Sequence, residues 1–180
     1  PFRNRALVPF ADEVPGENRG AMHNVLNSNK RSLSLYMPDP RARDLARRLI
    51  SSSDVVMDNF STGTMEKWNL GYKDLRQLRP DIVMLSLGAF GRTGPMKDFV
   101  GLHSMVNLFS GLAEVTGYDE GHPRMLGSYF PDTLNGTYAA LAITAALRYR
   151  EKTGLGQYIE HCMIEGLMTV LAEPIVNLTM

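Results

Sequence analysis

Asp132 stands next to the longest apolar stretch of the sequence, residues 134–150. That stretch predicts a helix buried on nearly every face. The positive end of a helix favours the ionised form of an acid, and an ionised carboxylate can attack an activated acyl group. An aspartate just before a helix is also a favoured N-cap, so residue types alone leave a nucleophile and a structural cap both open.

A second group of candidate residues follows a short apolar run at 54–57 (DVVM), which predicts a strand. Asn59 and Phe60 come directly after it, and strand ends are where α/β sheets bind ligands. The next apolar run, 82–87, is closed by the loop 88–95 (GAFGRTGP), whose glycines would let a ligand approach the backbone. This loop is neither GxGxxG nor a P-loop, which argues against dinucleotide and nucleoside triphosphate binding.

The histidines and the cysteine do not predict a metal site. His23, His122 and His161 have no partners at ligand spacing, while His103 could be a hydrogen-bonding or acid/base group. The single cysteine, Cys162, excludes an internal disulfide and a multi-cysteine cluster. It fits a reducing compartment, so we expect a cytoplasmic location.

The composition is that of an ordinary globular domain. The 180 residues are 44% hydrophobic and 21% charged, which suffices for one domain with a core. The 19 basic and 19 acidic residues cancel, so no field favours nucleic acid. No uninterrupted apolar run reaches about 18 residues, so we expect no membrane span.

Strands alternate with helices along the chain. Residues 32–35 alternate polar and apolar, which predicts a short strand, and Asp39-Pro40 predicts the start of a helix with an apolar stripe. Further helices are predicted at 102–115 and beyond Cys162, and a third strand at 158–160. This order predicts an α/β fold with a mostly parallel sheet flanked by helices.

Five motifs in order resemble the large domain of family III CoA-transferases. They are NKRSLSL (29–35), DVVMDNFSTGTMEKWNLGY (54–72), LSLGAFGRTGP (85–95), SGLAEVTG (110–117) and PDTLNGTYAALAITAALRYREKTGLGQYIEHCM (131–163). The resemblance covers residue 27 to the end. It implies a partial Rossmann-like large domain over 1–180, without the family's N-terminal βα unit and C-terminal small domain, and an interlocked homodimer in the full-length protein.

The resemblance also implies a function and a site. Asp132 matches the family's nucleophilic aspartate, which forms an aspartyl anhydride while CoA moves from an acyl-CoA to a free carboxylic acid. CoA is then a substrate, and no cofactor is permanently bound. The positions implied to contact CoA are Leu35, Tyr36, Met37, Pro38, Asn59, Phe60, Ser61, Lys67, Leu102 and His103. Many relatives carry an aromatic residue and an acid at the last two positions, so this chain departs from the family there.

Two alternatives remain open. An α-methylacyl-CoA racemase shares the fold and the CoA site, but it needs a histidine where Leu102 stands. His103 is one residue away, so its side chain is expected to point elsewhere. The second alternative is a partial domain that binds CoA without catalysis, because part of the pocket is missing.

Overall fold

The computed structural model describes residues 8–118, 121–127 and 129–180. The chain forms two compact units, Pro1–Tyr36 and Met37–Met180. The described part of the first unit holds a 3₁₀ turn, Ala11–Glu13, and helix α1, Ala21–Leu26. Residues 32–35 have no regular structure, so the strand predicted there is wrong. A strand needs hydrogen bonds to a neighbour, and four alternating residues cannot supply that neighbour.

The second unit alternates helices and strands. Its helices are α2 (Pro40–Ser51), α3 (Thr64–Lys67), α4 (Tyr72–Leu78), α5 (His103–Phe109), α6 (Phe130–Thr153), α7 (Met163–Met168) and α8 (Ala172–Thr179). Its strands are β1 (Val55–Asp58), β2 (Val83–Gly88) and β3 (Tyr158–Cys162).

The three strands form a parallel sheet in the order β1–β2–β3. Val55 pairs with Val83, and Met84 pairs with Tyr158. The central strand is buried on both faces, with Val83 0% and Met84 1% exposed, which explains why it reads as an unbroken apolar run. The predicted α/β fold with a parallel sheet flanked by helices is confirmed. All carboxyl ends of the strands therefore lie at one edge of the sheet.

Helix α2 begins where the sequence predicts. The side chain of Asp39 caps it by accepting a 2.9 Å hydrogen bond from the backbone N–H of Arg41, and Pro40 occupies the first helical position. Its buried residues are Ala46 and Ile50, whereas other members of the predicted apolar stripe stay partly exposed.

Helices α5 and α6 differ from their predicted forms. Helix α5 ends at Phe109, earlier than predicted, because the chain turns at Gly111, whose φ is +81°. Helix α6 buries one face, not nearly all of them: Asn135 and Ala139 are buried, but Leu141 is 67% exposed. Only one side of the helix packs on the sheet and on α5 and α7. Among the described residues, no helix combines the length and apolarity that a membrane span requires.

Candidate active site

A cavity of about 310 Å³ opens at the carboxyl ends of β1 and β2. Its lining residues come from the stretches 59–61, 87–92 and 97–103, together with Asp132 and Met163. The first stretch follows β1, the second contains the end of β2 and the loop after it, and the third leads into α5. Asp132 lies in the first turn of α6, and Met163 begins α7. The loops after parallel strands are where α/β folds hold small molecules.

Most of the candidate residues from the sequence meet in this cavity. They are Asn59, Phe60, Ser61, Leu102, His103 and Asp132. Of the glycines in the 88–95 loop, Gly88 and Gly91 line it as well. Parallel strand geometry brings these residues together although they are far apart in the chain.

Other candidate residues do not line this cavity. Lys67 is the exposed last residue of α3, and Met37 and Pro38 precede α2. Leu35 and Tyr36 end the first unit in irregular backbone, and Tyr36 is 75% exposed. A CoA contact by these five residues stays a prediction.

Asp132 lies in the first turn of α6 but does not cap it. The N-cap is Tyr129, with a left-handed φ of 74°, and its side chain makes no capping hydrogen bond. Asp132 itself is accessible from solvent, with its carboxyl partly enclosed by the cavity. Partial burial raises the pKa of this carboxyl above its ordinary value, while the positive charge of His103 acts in the opposite direction. The residue is therefore an accessible acid with a histidine close enough to influence its pKa.

The pKa of Asp132 supplies a test. Carbodiimides react with protonated carboxyls, so the labelling of Asp132, located by mass spectrometry, should be half-maximal at a pH above 3.8. His103→Gln removes the charge that lowers this pKa, so the midpoint should rise further. A midpoint at or below 3.8 in the unaltered protein, or a fall in the His103 variant, would contradict the described environment.

His103 lies at the cavity. It begins α5, its ring centroid lies 5.9 Å from that of Tyr129, and its Nδ1 is 3.4 Å from the hydroxyl of Ser104. Its buried Nε2 has no hydrogen-bond partner among the described residues. His103 and Leu102 both line the cavity, and the expectation that the His103 side chain points in another direction than that of Leu102 stays a prediction.

An ion pair joins the end of β1 to the loop 88–95, which follows β2. The Arg92 guanidinium donates from Nη2 to Asp58 Oδ1 and to the Leu87 carbonyl oxygen, both at 2.9 Å. It also donates to the carbonyl oxygen of Phe60. Side-chain exposure is only 10% for Arg92 and 4% for Asp58. The hydroxyl of Ser86 donates to the other Asp58 oxygen at 2.5 Å, so the buried carboxylate is fully paired.

Glu160 of β3 holds the glycine-rich loop 88–95 in place by hydrogen bonds. Glu160 Oε1 accepts hydrogen bonds from the backbone N–H groups of Arg92 at 2.6 Å and Thr93 at 2.9 Å. Burial would raise the pKa of Glu160, but these hydrogen bonds hold it below its ordinary value. A Cβ on Gly91, whose φ is +81°, would meet Glu160 Oε1 at 3.0 Å. Glycine at this position therefore lets the loop close on the carboxylate.

Several residues of the site were not singled out from the sequence. Asp58 and Arg92 are the clearest cases. Their position at the ends of predicted strands could have indicated a role in the site, but their charge alone does not distinguish them from the other charged residues of the chain. Lys97 also lines the cavity, and its ammonium has no ion pair among the described residues. Lys97 therefore gives the cavity a cationic residue in addition to the acid Asp132.

Comparisons with known proteins agree with the geometry. The model of "CoA-transferase family III" matches residues 4–180. A succinyl-CoA–D-citramalate CoA-transferase of Chloroflexus aurantiacus is 34% identical over 147 residues, which are 82% of this chain and 37% of the relative. A succinate–glutarate CoA-transferase of Agrobacterium fabrum is 35% identical over 170 residues, 94% of this chain and 42% of the relative.

Solved structures give the same result. The crystal structure of a CAIB/BAIF family protein from Brucella suis matches with a TM-score of 0.87 and 30% identity, over 97% of this chain and 46% of that one. The chain thus spans less than half the length of these three proteins.

Proposed function

Since the chain belongs to CoA-transferase family III, we propose that the full-length protein transfers coenzyme A from an acyl-CoA to a free carboxylic acid, with Asp132 as the nucleophile. The observation that carries the proposal is the Asp132 carboxylate, which faces a cavity at the carboxyl ends of the strands. Burial raises the pKa of Asp132, whereas the helix N-terminus and a positive charge on His103 act in the opposite direction and favour the ionised carboxylate.

The chemistry is a sequence of acyl transfers. A carboxylate oxygen of Asp132 attacks the thioester carbonyl carbon, the C–S bond breaks and CoA leaves as the thiolate. The mixed anhydride then passes its acyl group to the acceptor carboxylate, which frees Asp132. The thiolate attacks the acceptor's carbonyl carbon, so the new acyl-CoA forms and the original acid leaves. Each bond that breaks is replaced, and no proton or electron is required from elsewhere.

We further propose that the substrates are dicarboxylic acids. The names of the two relatives above contain succinate, glutarate and citramalate. A second carboxylate needs a cationic partner, and the cavity is lined by Lys97 and by His103, whose Nε2 has no hydrogen-bond partner among the described residues.

The CoA moiety itself is assigned to the strand-end residues Asn59, Phe60 and Ser61, which line the same cavity. Residues 1–180 are proposed to be part of a larger domain of a cytoplasmic homodimer, consistent with the share of the relatives' length that they cover.

A second candidate function is α-methylacyl-CoA racemisation, which one observation favours. His103 and Asp132 border the same cavity and interact electrostatically, so they could act as an acid/base pair across an α-carbon. Asp132 would then exchange a proton with the substrate and form no covalent intermediate.

One experiment separates the two functions. The full-length protein is incubated in D₂O with succinyl-CoA and glutarate, and in parallel with a branched acyl-CoA alone. The transferase proposal expects glutaryl-CoA to form and no deuterium to enter the α-carbon of the branched substrate. Deuterium exchange that disappears in His103→Gln, without glutaryl-CoA formation, would support the racemase instead.

A further inference from the structure

A fully buried amide lies three residues after Asp132. The side chain of Asn135, which is 0% exposed, donates from Nδ2 to the carbonyl oxygen of Pro131 at 2.7 Å and to that of Met163 at 3.2 Å. Its Oδ1 lies 2.7 Å from Nε2 of His161. Pro131 belongs to the first turn of α6, Met163 begins α7 and lines the cavity, and His161 belongs to β3. One side chain therefore joins three elements.

These bonds determine which nitrogen of His161 carries a hydrogen. The amide nitrogen of Asn135 faces two carbonyl oxygens, so it is a donor to both, and Oδ1 is left as the acceptor. Nε2 of His161 must then be the donor. Burial lowers the pKa of His161, although the charge of Glu165 opposes this, so the neutral ring is favoured with its hydrogen on Nε2.

Gly166 leaves the space that this arrangement needs. A Cβ on this α7 residue would lie 2.1 Å from Oδ1 of Asn135, 3.1 Å from its Cγ and 3.5 Å from Nε2 of His161. Because the amide is fully buried and held by hydrogen bonds on both sides, it cannot move aside without losing them. Glycine is unfavourable inside a helix, so its presence in α7 has a packing reason.

We propose that Asn135 and His161 are positioning residues for Asp132. They fasten the first turn of α6, which carries the carboxylate, to the β3–α7 junction, which contributes Met163 to the cavity lining. Nucleophilic attack requires the reacting atoms to be held near contact distance in line with the carbonyl, so a small shift of this turn lowers the rate. This inference rests on the proposed role of Asp132 as nucleophile.

The test compares two substitutions at His161 in the full-length protein. His161→Gln places an amide N–H near the position of Nε2, whereas His161→Leu has a similar size but no donor. We expect His161→Leu to lower kcat by about 10²-fold, as a displacement of the order of 1 Å does, and His161→Gln to restore most of the rate. The KM for acyl-CoA should change little in both variants, because His161 does not line the cavity.

Gly166→Ala provides an independent variant. Alanine is the better helix former, so a loss of kcat cannot be assigned to a weaker α7. We expect a kcat loss similar to that of His161→Leu. Thr144→Ala removes an exposed hydroxyl from α6 and is the control that should keep the full rate.

Equal kcat values for His161→Leu and His161→Gln, or a full rate for Gly166→Ala, would overturn the positioning role. Asp132→Asn is measured in parallel. If Asp132→Asn is active, Asp132 is not the nucleophile, and both the proposed function and this inference are excluded. If Asp132→Asn is inactive while the His161 and Gly166 variants are fully active, only the positioning role is excluded.

Discussion

Replacing Asp132 with asparagine should lower the rate of CoA transfer by a factor on the order of 10³ or more while the protein stays folded. The substitution preserves size and removes the charged oxygen that would attack the thioester. The fold should not suffer, because burial raises the pKa of Asp132, so folding disfavours its ionised form relative to the unfolded chain. The stability that such a group contributes is fully present below its unfolded pKa and is lost as the pH rises through its folded pKa.

The covalent intermediate can be located directly. Incubation of the full-length protein with succinyl-CoA alone should leave an acyl group on Asp132, which hydroxylamine converts to a hydroxamate that mass spectrometry detects. The melting temperature of Asp132→Asn at pH 7 should equal or exceed that of the parent. Near-parental transfer by Asp132→Asn, or a hydroxamate at another carboxyl, would exclude Asp132 as the nucleophile.

The second large effect is expected at the Arg92–Asp58 ion pair. Arg92→Met leaves a carboxylate that is 4% exposed without its cationic partner, and losing one member of a buried pair costs about 3–5 kcal/mol in the free energy of unfolding. It also releases the carbonyl oxygens of Phe60 and Leu87 at the cavity. Denaturant unfolding of the full-length protein gives the stability.

Arg148→Met is the matched control. Arg148 pairs with Glu151 at 2.7 Å, but both side chains are more than 60% exposed, so the loss should stay below about 1 kcal/mol. Adding Asp58→Asn to Arg92→Met removes the unpaired charge and should restore part of the stability. Equal losses in Arg92→Met and Arg148→Met would show that the buried pair contributes no more than a surface pair.

What the sequence predicted correctly was local. The cap at Asp39 and the three strands of the sheet depend on neighbouring residues, and each was found by its own pattern. The start of α6 was predicted too late, since the helix begins at Phe130 and Asp132 lies in its first turn. The prediction for 32–35 failed because a strand also needs a partner. The exposed face of α6, which includes Leu141 at 67%, was missed because apolar composition does not say which sides of a helix meet other elements.

The site was predictable to the extent that it is built at strand ends. Asn59 and Phe60 could be placed at the cavity because they follow β1 directly. Arg92 lies 34 residues from its partner Asp58, and His161 lies 26 residues from Asn135. Neither pair has a sequence spacing that reveals it, because the tertiary fold alone brings the two residues together.

The parallel pairing of the strands also affects how fast the chain can fold. Pairing Val55 with Val83 closes one long loop, and pairing Met84 with Tyr158 closes a longer one. Closing loops costs chain entropy before the contacts form, so non-local pairing makes folding slow. Glu160, which holds the glycine-rich loop, belongs to β3. Met163, which lines the cavity, follows β3 directly. During synthesis on the ribosome, Asp132, the proposed nucleophile, is therefore made before Glu160 and Met163.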